Sequence, residues 1–158
     1  MTKVKAKPDG FHTVTPQIIV RGAERAIDFY RRAFGAEERY RMTGPDGRLM
    51  HAEIKIGDSI VMLADEMPEM GSTSPATLEG TAGSLMLYVD DCDLAYKRAI
   101  EAGATSSMPP QDMFWGDRYG RLVDPFGHEW AIATQKEDLT PEAIGKRQDA
   151  FYQSMSKK

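Results

Sequence analysis

The stretch from Phe114 to Trp130 reads FWGDRYGRLVDPFGHEW, and it decides the fold. Its glycines and its Asp-Pro step divide it into a strand, a tight turn and a second strand, because proline fixes φ and glycine tolerates positive φ. The stretch therefore predicts a β-hairpin with aromatic rings at the loop that precedes it. Such rings either border a ligand pocket or pack against a core.

The composition limits the classes of function. With 158 residues and a formal charge of -4, the chain is long enough for one ordinary core and has scattered rather than clustered Lys and Arg. This charge pattern argues against a nucleic-acid or membrane partner, since both require clustered cations. Cys92 is the single cysteine, so we expect no disulfide, no thiolate metal cluster and a reducing, cytoplasmic location.

The residues before the hairpin alternate between strand and helix patterns. Apolar and polar residues alternate at 49–56, which predicts a strand that buries Met50, Ala52, Ile54 and Ile56. A continuous apolar run at 59–64 predicts a central strand, and an amphipathic pattern predicts a helix. The predicted elements are a strand at 13–20, a helix at 23–34, and strands at 37–42, 49–56 and 59–64.

The second half of the chain repeats the first. The helix motif Tyr30–Phe34 matches Tyr96–Ile100, and a Gly turn precedes an apolar strand in each half, so each half reads strand, helix, strand, strand, strand. Thr140 and Pro141 then begin a last helix with apolar positions for docking on the body or on a partner chain. The predicted segments are a flexible lead at 1–11, a first βαβββ module at 12–65, a linker at 66–81, a second βαβββ module at 82–135 and a C-terminal helix at 136–158.

These motifs resemble those of the vicinal oxygen chelate superfamily, which includes glyoxalase I, bleomycin-resistance proteins and extradiol dioxygenases. The resemblance rests on Ala26–Tyr30 before Phe34–Ala36, on Asp124–His128, and, for a PhnB-like branch, on Met50–Ile54 and Phe114–Gly120. It implies an α+β fold of tandem βαβββ modules that form a cup. It also implies a homodimer, because open sheet edges are usually buried against a second copy.

The resemblance further implies where metal ligands would project into the cup. In the metal enzymes, the first and last strands of each module supply one ligand each. The corresponding positions here are Thr15, Val61 or its neighbour Met62, Ser84 and Ala131. None is a histidine or a carboxylate, so we predict no cofactor, although a divalent metal at other positions stays possible. The same mapping predicts a mostly apolar cup lined by Thr15, Gln17, Ile19, Val61, Leu63, Ser84, Met86, Tyr88, Ala131 and Ala133.

Six residues are candidate ligand-binding residues: Gln17, His51, Glu53, Tyr88, Trp115 and Arg118. His51 and Glu53 share a strand face and form either a metal or acid/base pair, with His12 or His128 as third member, or a solvated pair at the cup rim. Trp115 and Arg118 either clamp a planar or anionic ligand or fix the hairpin, Arg118 then pairing with Asp117 or Asp124. Gln17 and Tyr88 either orient a ligand or are structural, and Cys92 is interpreted as a silent position rather than a nucleophile.

Three functional hypotheses follow. The first is a protein that sequesters a small, largely apolar or aromatic molecule without a metal, as bleomycin-resistance proteins do. The second is an enzyme, a glyoxalase-like lyase or isomerase or a dioxygenase, with its metal at non-standard positions. The third is a dimeric scaffold without a ligand. An apolar cup favours the first, and a third ligand beside His51 and Glu53 would favour the second.

Overall fold

The computed structural model describes residues 4–156. The first module consists of β1 (Gln17–Val20), α1 (Ala23–Phe34), β2 (Glu37–Thr43), β3 (Leu49–Ile56) and β4 (Ser59–Asp65). A 3-10 turn (Pro68–Met70) and the short helix α2 (Pro75–Leu78) follow. The second module consists of β5 (Ser84–Tyr88), α3 (Cys92–Ala102), β6 (Thr105–Asp112), β7 (Asp117–Val123) and β8 (Glu129–Gln135), and α4 (Pro141–Met155) ends the chain.

The strands form two four-stranded sheets, so the predicted fold of two βαβββ modules with a C-terminal helix is confirmed. Sheet 1 has the order β1-β4-β3-β2 and sheet 2 the order β5-β8-β7-β6. The apolar strand β4 lies inside its sheet, as its composition predicted. We call the side of each sheet that packs on α1 or α3 its inner face and the opposite side its outer face. Neighbours across a strand pair share a face, and successive residues alternate between faces.

Asp65 at the end of β4 holds the start of α1. Its Oδ1 atom accepts hydrogen bonds from the backbone N–H groups of Gly22 and Ala23 at 2.9 and 2.8 Å, and its Oδ2 atom accepts one from Leu49 at 2.8 Å. Gly22 stands at the N-cap and has no side chain to accept these bonds, so the Asp65 carboxylate at the end of β4 takes the role of the N-cap side chain. This arrangement joins β3, β4 and α1.

A buried polar cluster joins the two modules. Asp124, only 4% exposed, accepts hydrogen bonds from the Tyr30 hydroxyl at 2.6 Å and the Trp130 indole N–H at 2.9 Å. Its other oxygen accepts from the backbone N–H groups of Phe126 and His128 at 2.9 and 3.0 Å. Phe34 packs on Trp130 with ring centroids 4.7 Å apart. The hairpin of the second module is therefore fixed against the helix of the first.

Three details of the first sheet differ from the prediction. The first strand begins at Gln17 rather than at 13, because β1 pairs only with Met62–Asp65 and residues 13–16 lie beyond that ladder. Met50 is 37% exposed rather than buried. Val61 and Leu63 lie on the inner face, since they pair with the core residues Ile54 and Ala52, so their assignment to the cup lining was wrong. The outer face of β4 instead carries Ile60, Met62 and Ala64.

The C-terminal helix α4 begins as predicted. The Thr140 hydroxyl accepts a hydrogen bond from the backbone N–H of Ala143, and Pro141 occupies the first turn. No residue of α4 is buried in this chain, and Phe151 contacts Phe114 with ring centroids 5.4 Å apart. Residues 1–3 of the predicted lead and 157–158 of the predicted helix lie outside the described residues. Within 4–156, no helix combines the length and the apolar character that crossing a membrane requires.

Candidate functional site

The outer face of sheet 2 carries a row of two tyrosines around an alanine. Tyr88 of β5 and Tyr119 of β7 both pair with Ala133 of β8, one from each side. Ala133 is fully buried although it lies on the outer face, so larger side chains cover it. Ala131 is the next residue of β8 on this face, and Met86 lies beside it. The outer face of sheet 2 therefore has a strip of small side chains along β8, with larger side chains on the strands at either side.

Trp115 and Asp117 close one end of this strip. The Trp115 indole N–H donates to Asp117 Oδ2 at 3.1 Å, and the Trp115 ring meets the Tyr119 ring edge-on, with centroids 5.6 Å apart. Asp117 is only 7% exposed. Partial desolvation, and then the charge of Asp117, raise the pKa of Tyr88. Two candidates from the sequence, Tyr88 and Trp115, thus come together around Asp117.

Arg118 lies on the opposite side of the same strand. Its guanidinium pairs with Asp93 of α3 at 2.8 Å and with Asp112 of β6 at 3.4 Å, which draws β7 to the helix on the inner face. Of the two alternatives for Arg118, the structural pairing with Asp117 or Asp124 was wrong in its partners, because Asp117 alternates to the outer face and Asp124 binds Tyr30 and Trp130. The structure therefore separates Arg118 from Trp115 and Tyr88.

His51 and Glu53 lie on the outer face of sheet 1, away from the sheet 2 cluster. The His51 Nε2 and Glu53 Oε1 atoms are 3.4 Å apart, and the Tyr40 ring lies 6.2 Å from the His51 ring between centroids. Gln17 lies on the same face beside Met62. The other histidines are engaged elsewhere, His12 at the cavity described next and His128 in a hydrogen bond to the Ile19 carbonyl at 2.8 Å.

A cavity of about 600 Å³ runs along the open edge of β5, between the two modules. β5 bonds to β8 on one side only, and β1 is too short to cover the first half of β4, so a gap stays between them. Tyr88 and Met86 border the cavity as well as the outer face, and His12, Asp58 and Arg98 are, with Tyr88, its charged or titratable residues. Its apolar lining includes Val14, Pro16, Phe34, Leu85, Leu87, Val89 and Trp130.

Cys92 takes no part in these sites. The residue is 1% exposed, and its thiol donates to the Ile132 carbonyl at 3.2 Å. Burial raises the pKa of the thiol, with the neighbouring Asp93 as the next cause. A buried thiol whose thiolate is disfavoured is a poor nucleophile, in line with the interpretation of the sequence.

A protein-family model matches both modules of the chain. The model described as the glyoxalase, bleomycin resistance protein and dioxygenase superfamily matches residues 10–132. The chain belongs to this superfamily. The matched range ends in β8, so the superfamily fold covers both modules, and α4 lies beyond it.

Superfamily relatives cover most of the chain. An uncharacterised protein of Mycobacterium tuberculosis (strain H37Rv) is 42% identical over 134 residues, which are 83% of this chain and 79% of that protein. The crystal structure of TioX from Micromonospora sp. ML1 has a TM-score of 0.60 at 27% identity and covers 82% of this chain and all of that chain. A gene product of Arabidopsis thaliana has a TM-score of 0.64 at 25% identity, with 78% of this chain and 98% of that chain covered. A PhnB protein from Bacillus cereus, at 18% identity, shares the fold.

The residues at the superfamily's metal positions do not fit a divalent ion. Thr15 precedes β1, Val61 faces the core, and the outer-face residues Met62, Ser84 and Ala131 offer a thioether, a hydroxyl and a methyl group. Divalent transition ions need imidazole, thiolate or carboxylate ligands. Within residues 4–156, no three His, Cys, Asp or Glu side chains come together in a way that could hold a metal ion.

Sequence reasoning missed Asp117 and Tyr119 as site residues. The strand pattern contained the signal, since residues two apart on β7 share a face and Trp115 precedes them by two and four positions. The sequence suggested Asp117 only as a partner for Arg118, because opposite charges adjacent in sequence do not show which face of the strand each residue occupies.

Proposed function

We propose that this superfamily member binds and sequesters a small, largely apolar or aromatic molecule and does so without a catalytic metal. The cavity of about 600 Å³ along β5 carries the proposal. Its volume lies within the range for small-molecule sites, roughly 300–1,000 Å³, and its apolar lining with few polar groups is typical of them. Phe34 and Trp130 belong to its wall, and Tyr88 supplies a polar group at its border.

The alternative of a metal-dependent lyase, isomerase or dioxygenase has weaker support. His51 and Glu53 form a pair at 3.4 Å, but His12 and His128 lie elsewhere, so the pair has no third ligand among residues 4–156. Two ligands on one strand do not hold a divalent ion against water. The pair is better explained as a polar contact on the outer face of sheet 1.

We propose further that the protein is a homodimer. The outer faces expose large apolar side chains, with Tyr88 at 68%, Tyr40 at 53%, Met42 at 47% and Met86 at 44%. β5 also has one edge without a strand partner among residues 4–156. Apolar faces and open edges of this kind are normally covered by another surface. If a second copy covers these surfaces, the outer faces of the two sheets become walls of an enclosed cup.

The binding proposal is tested by filling the cavity. Ala95 of α3 is half-buried and lines it, whereas Ala150 lies exposed on α4. We expect naphthylethanol, a neutral aromatic probe, to bind the wild-type protein in isothermal titration calorimetry. Ala95→Phe should abolish this binding, and Ala150→Phe should leave it unchanged.

A second pair of variants tests the same proposal at exposed positions, where a substitution does not disturb the buried core. Tyr88→Ala removes an exposed ring at the cavity border, and Tyr152→Ala removes an exposed ring on α4. Tyr88→Ala should weaken naphthylethanol binding, and Tyr152→Ala should not. Equal binding by Ala95→Phe, Tyr88→Ala and the wild type would place the site elsewhere and contradict the proposal.

A further inference from the structure

Arg98 of α3 lines the cavity along β5 and has no acidic partner. Within residues 4–156 it is the one Lys or Arg in the cavity lining. Its Nε–H donates to the Ala33 carbonyl at the end of α1 at 2.9 Å, which holds the guanidinium between the two modules. No Asp or Glu oxygen of the described residues lies within 4.0 Å of its nitrogens. Its Nη1 and Nη2 groups are therefore available as donors to a ligand.

The internal repeat provides a direct comparison for this arginine. In the matched helix motifs, Arg32 of α1 stands at the position of Arg98, and it donates to the Ala102 carbonyl of α3 at 3.1 Å. Arg32 also pairs with Asp28, four residues before it, at 3.0 Å. The residue four positions before Arg98 is Leu94, which is 66% exposed and offers no counter-charge. Two equivalent arginines thus join the helices, and the one that lines the cavity lacks the carboxylate that the other has.

The position of Arg98 suits the charged end of an otherwise apolar ligand. Arg98 is exposed although it lines the cavity, so its side chain stands where the cavity opens to solvent. The apolar part of a ligand can pack on the half-buried Leu85, Leu87 and Val89, while an acidic group at its end stays partly in water and loses little solvation. Asp58, the acidic residue of the lining, is also exposed and lies more than 4.0 Å from the Arg98 nitrogens, so it does not occupy them.

We infer that Arg98 binds a carboxylate group of the ligand, so that the bound molecule is a small aromatic or apolar carboxylic acid in its ionised form. The inference rests on the proposed function, because the same cavity holds the apolar part of the ligand. A guanidinium matches the geometry of a carboxylate, and charge-assisted hydrogen bonds of this kind are about twice as strong as neutral ones. One arginine compensates one negative charge, and the lining within residues 4–156 has no second Lys or Arg to balance the dianion of a phosphate.

The test uses three probes that share a naphthyl group and differ in charge: naphthylacetate, naphthylethanol and naphthylethylammonium. Calorimetry should show that the wild type binds naphthylacetate about tenfold or more tightly than naphthylethanol and binds the ammonium weakest. Arg98→Gln keeps a donor for the Ala33 carbonyl and removes the charge, so the preference for naphthylacetate should disappear. Arg32→Gln is the matched control, since it removes the equivalent arginine of α1, which lies outside the cavity lining; it should keep the preference.

A second variant tests the inference without removing Arg98. Leu94→Asp places a carboxylate four residues before Arg98, in the arrangement that Asp28 and Arg32 already have, and at an exposed position where the core is not disturbed. The new carboxylate should compete for the guanidinium and weaken naphthylacetate binding about twofold or more, with naphthylethanol binding unchanged. Leu94→Asn has the same shape without the charge and should leave the binding of both probes unchanged.

The outcomes separate this inference from the proposed function. Equal binding of naphthylacetate and naphthylethanol by the wild type, or a preference that survives in Arg98→Gln, overturns the role of Arg98 and leaves the apolar site standing. A preference that is lost equally in Arg32→Gln also overturns it, because the loss then comes from the contacts between the helices. If Arg98→Gln does not fold, unchanged naphthylacetate binding in Leu94→Asp overturns it instead. Failure of all three probes to bind the wild type overturns the proposed function and the inference with it.

Discussion

At the scale of single residues, the contact between Tyr30 and Asp124 decides how the two modules fit together. Tyr30 is fully buried on α1, and its hydroxyl donates to Asp124 at 2.6 Å in the turn of the β7–β8 hairpin. Burial, and then the charge of Asp124, raise the pKa of Tyr30 well above its ordinary value of 10.0. The folded protein therefore keeps this hydroxyl protonated as a donor.

Replacing Tyr30 by Phe should lower the free energy of unfolding by about 1–3 kcal/mol, since a buried carboxylate loses a donor. The raised pKa of Tyr30 contributes stability that is fully present below about pH 10 and is lost as the pH rises above that value. Tyr30→Phe should therefore flatten the loss of stability at alkaline pH. Urea unfolding at neutral and alkaline pH measures both effects, with the exposed Tyr152→Phe as control; equal curves for Tyr30→Phe and the wild type would contradict the account.

Trp115 is the second residue on which the account depends. Truncating an aromatic ring that contacts a ligand costs about 1–3 kcal/mol of binding free energy. Trp115 lies outside the cavity lining, so it contacts a ligand only if that ligand extends past Tyr88 onto the outer face of sheet 2. On this hypothesis Trp115→Ala should weaken naphthylethanol binding by this amount, whereas Trp115→Phe should weaken it less because it keeps a ring. Unchanged affinity in Trp115→Ala would exclude the indole from the ligand contact.

The sequence predicted burial more accurately for a strand that alternates between apolar and polar residues than for a strand that is apolar on both faces. The burial of Ala52, Ile54 and Ile56 was predicted correctly, because β3 alternates between apolar and polar residues. β4 is apolar on both faces, so its sequence has no alternation that distinguishes Val61 from Met62, and the assignment to the cup was off by one residue. Arg118 was misplaced for a related reason: charge complementarity suggested Asp117, but strand alternation separates the two.

At the scale of elements, Glu66 holds the segment between the modules. Its carboxylate accepts hydrogen bonds from Thr77 at 2.6 Å, from Ser74 at 2.8 Å and from the Arg21 guanidinium. These bonds lower the pKa of Glu66 from 4.5 to about 2, with the Thr77 bond as the largest cause. The segment at 66–81 has no periodic pattern, and the sequence did not reveal that one carboxylate ties α2 to the end of β1.

The lowered pKa of Glu66 predicts an acid-sensitive segment. The stability from these bonds is present above about pH 4.5 and is lost as the pH falls towards about 2. Glu66→Gln should reduce the unfolding midpoint at neutral pH and should lose less stability than the wild type between pH 4.5 and 2. Thermal unfolding followed by circular dichroism across this range measures the difference, with Glu79→Gln in the same segment as control. Parallel pH profiles for Glu66→Gln and the wild type would show that the bonds do not hold the segment.

At the scale of the whole molecule, the exposed outer faces and the open edge of β5 predict a dimer. Light scattering at micromolar concentration should give twice the chain mass of 17.6 kDa, or about 35 kDa. Met86→Glu places a charge in the middle of the exposed apolar face and should shift the mass towards that of the single chain, because a buried unpaired charge is costly. A wild-type mass of about 18 kDa would contradict the dimer.

The repeat of two βαβββ modules could be predicted because helix motifs, Gly turns and strand patterns recur in both halves of the sequence. The cavity along β5 could not be predicted from the sequence. It depends on where β1 ends and on how the two modules pack together through Tyr30, Phe34 and Trp130. Contacts of this kind join residues far apart in the chain and leave no periodic trace in the sequence.

Metal-independent binding of an aromatic molecule is the central claim, and one titration tests it most directly. The protein is dialysed against a chelator, its zinc, nickel and iron contents are measured by elemental analysis, and naphthylethanol is titrated into it by calorimetry before and after dialysis. We predict less than stoichiometric metal and the same dissociation constant in both titrations. Stoichiometric metal that survives dialysis, or binding that is lost with the metal and restored by adding it back, would contradict the claim.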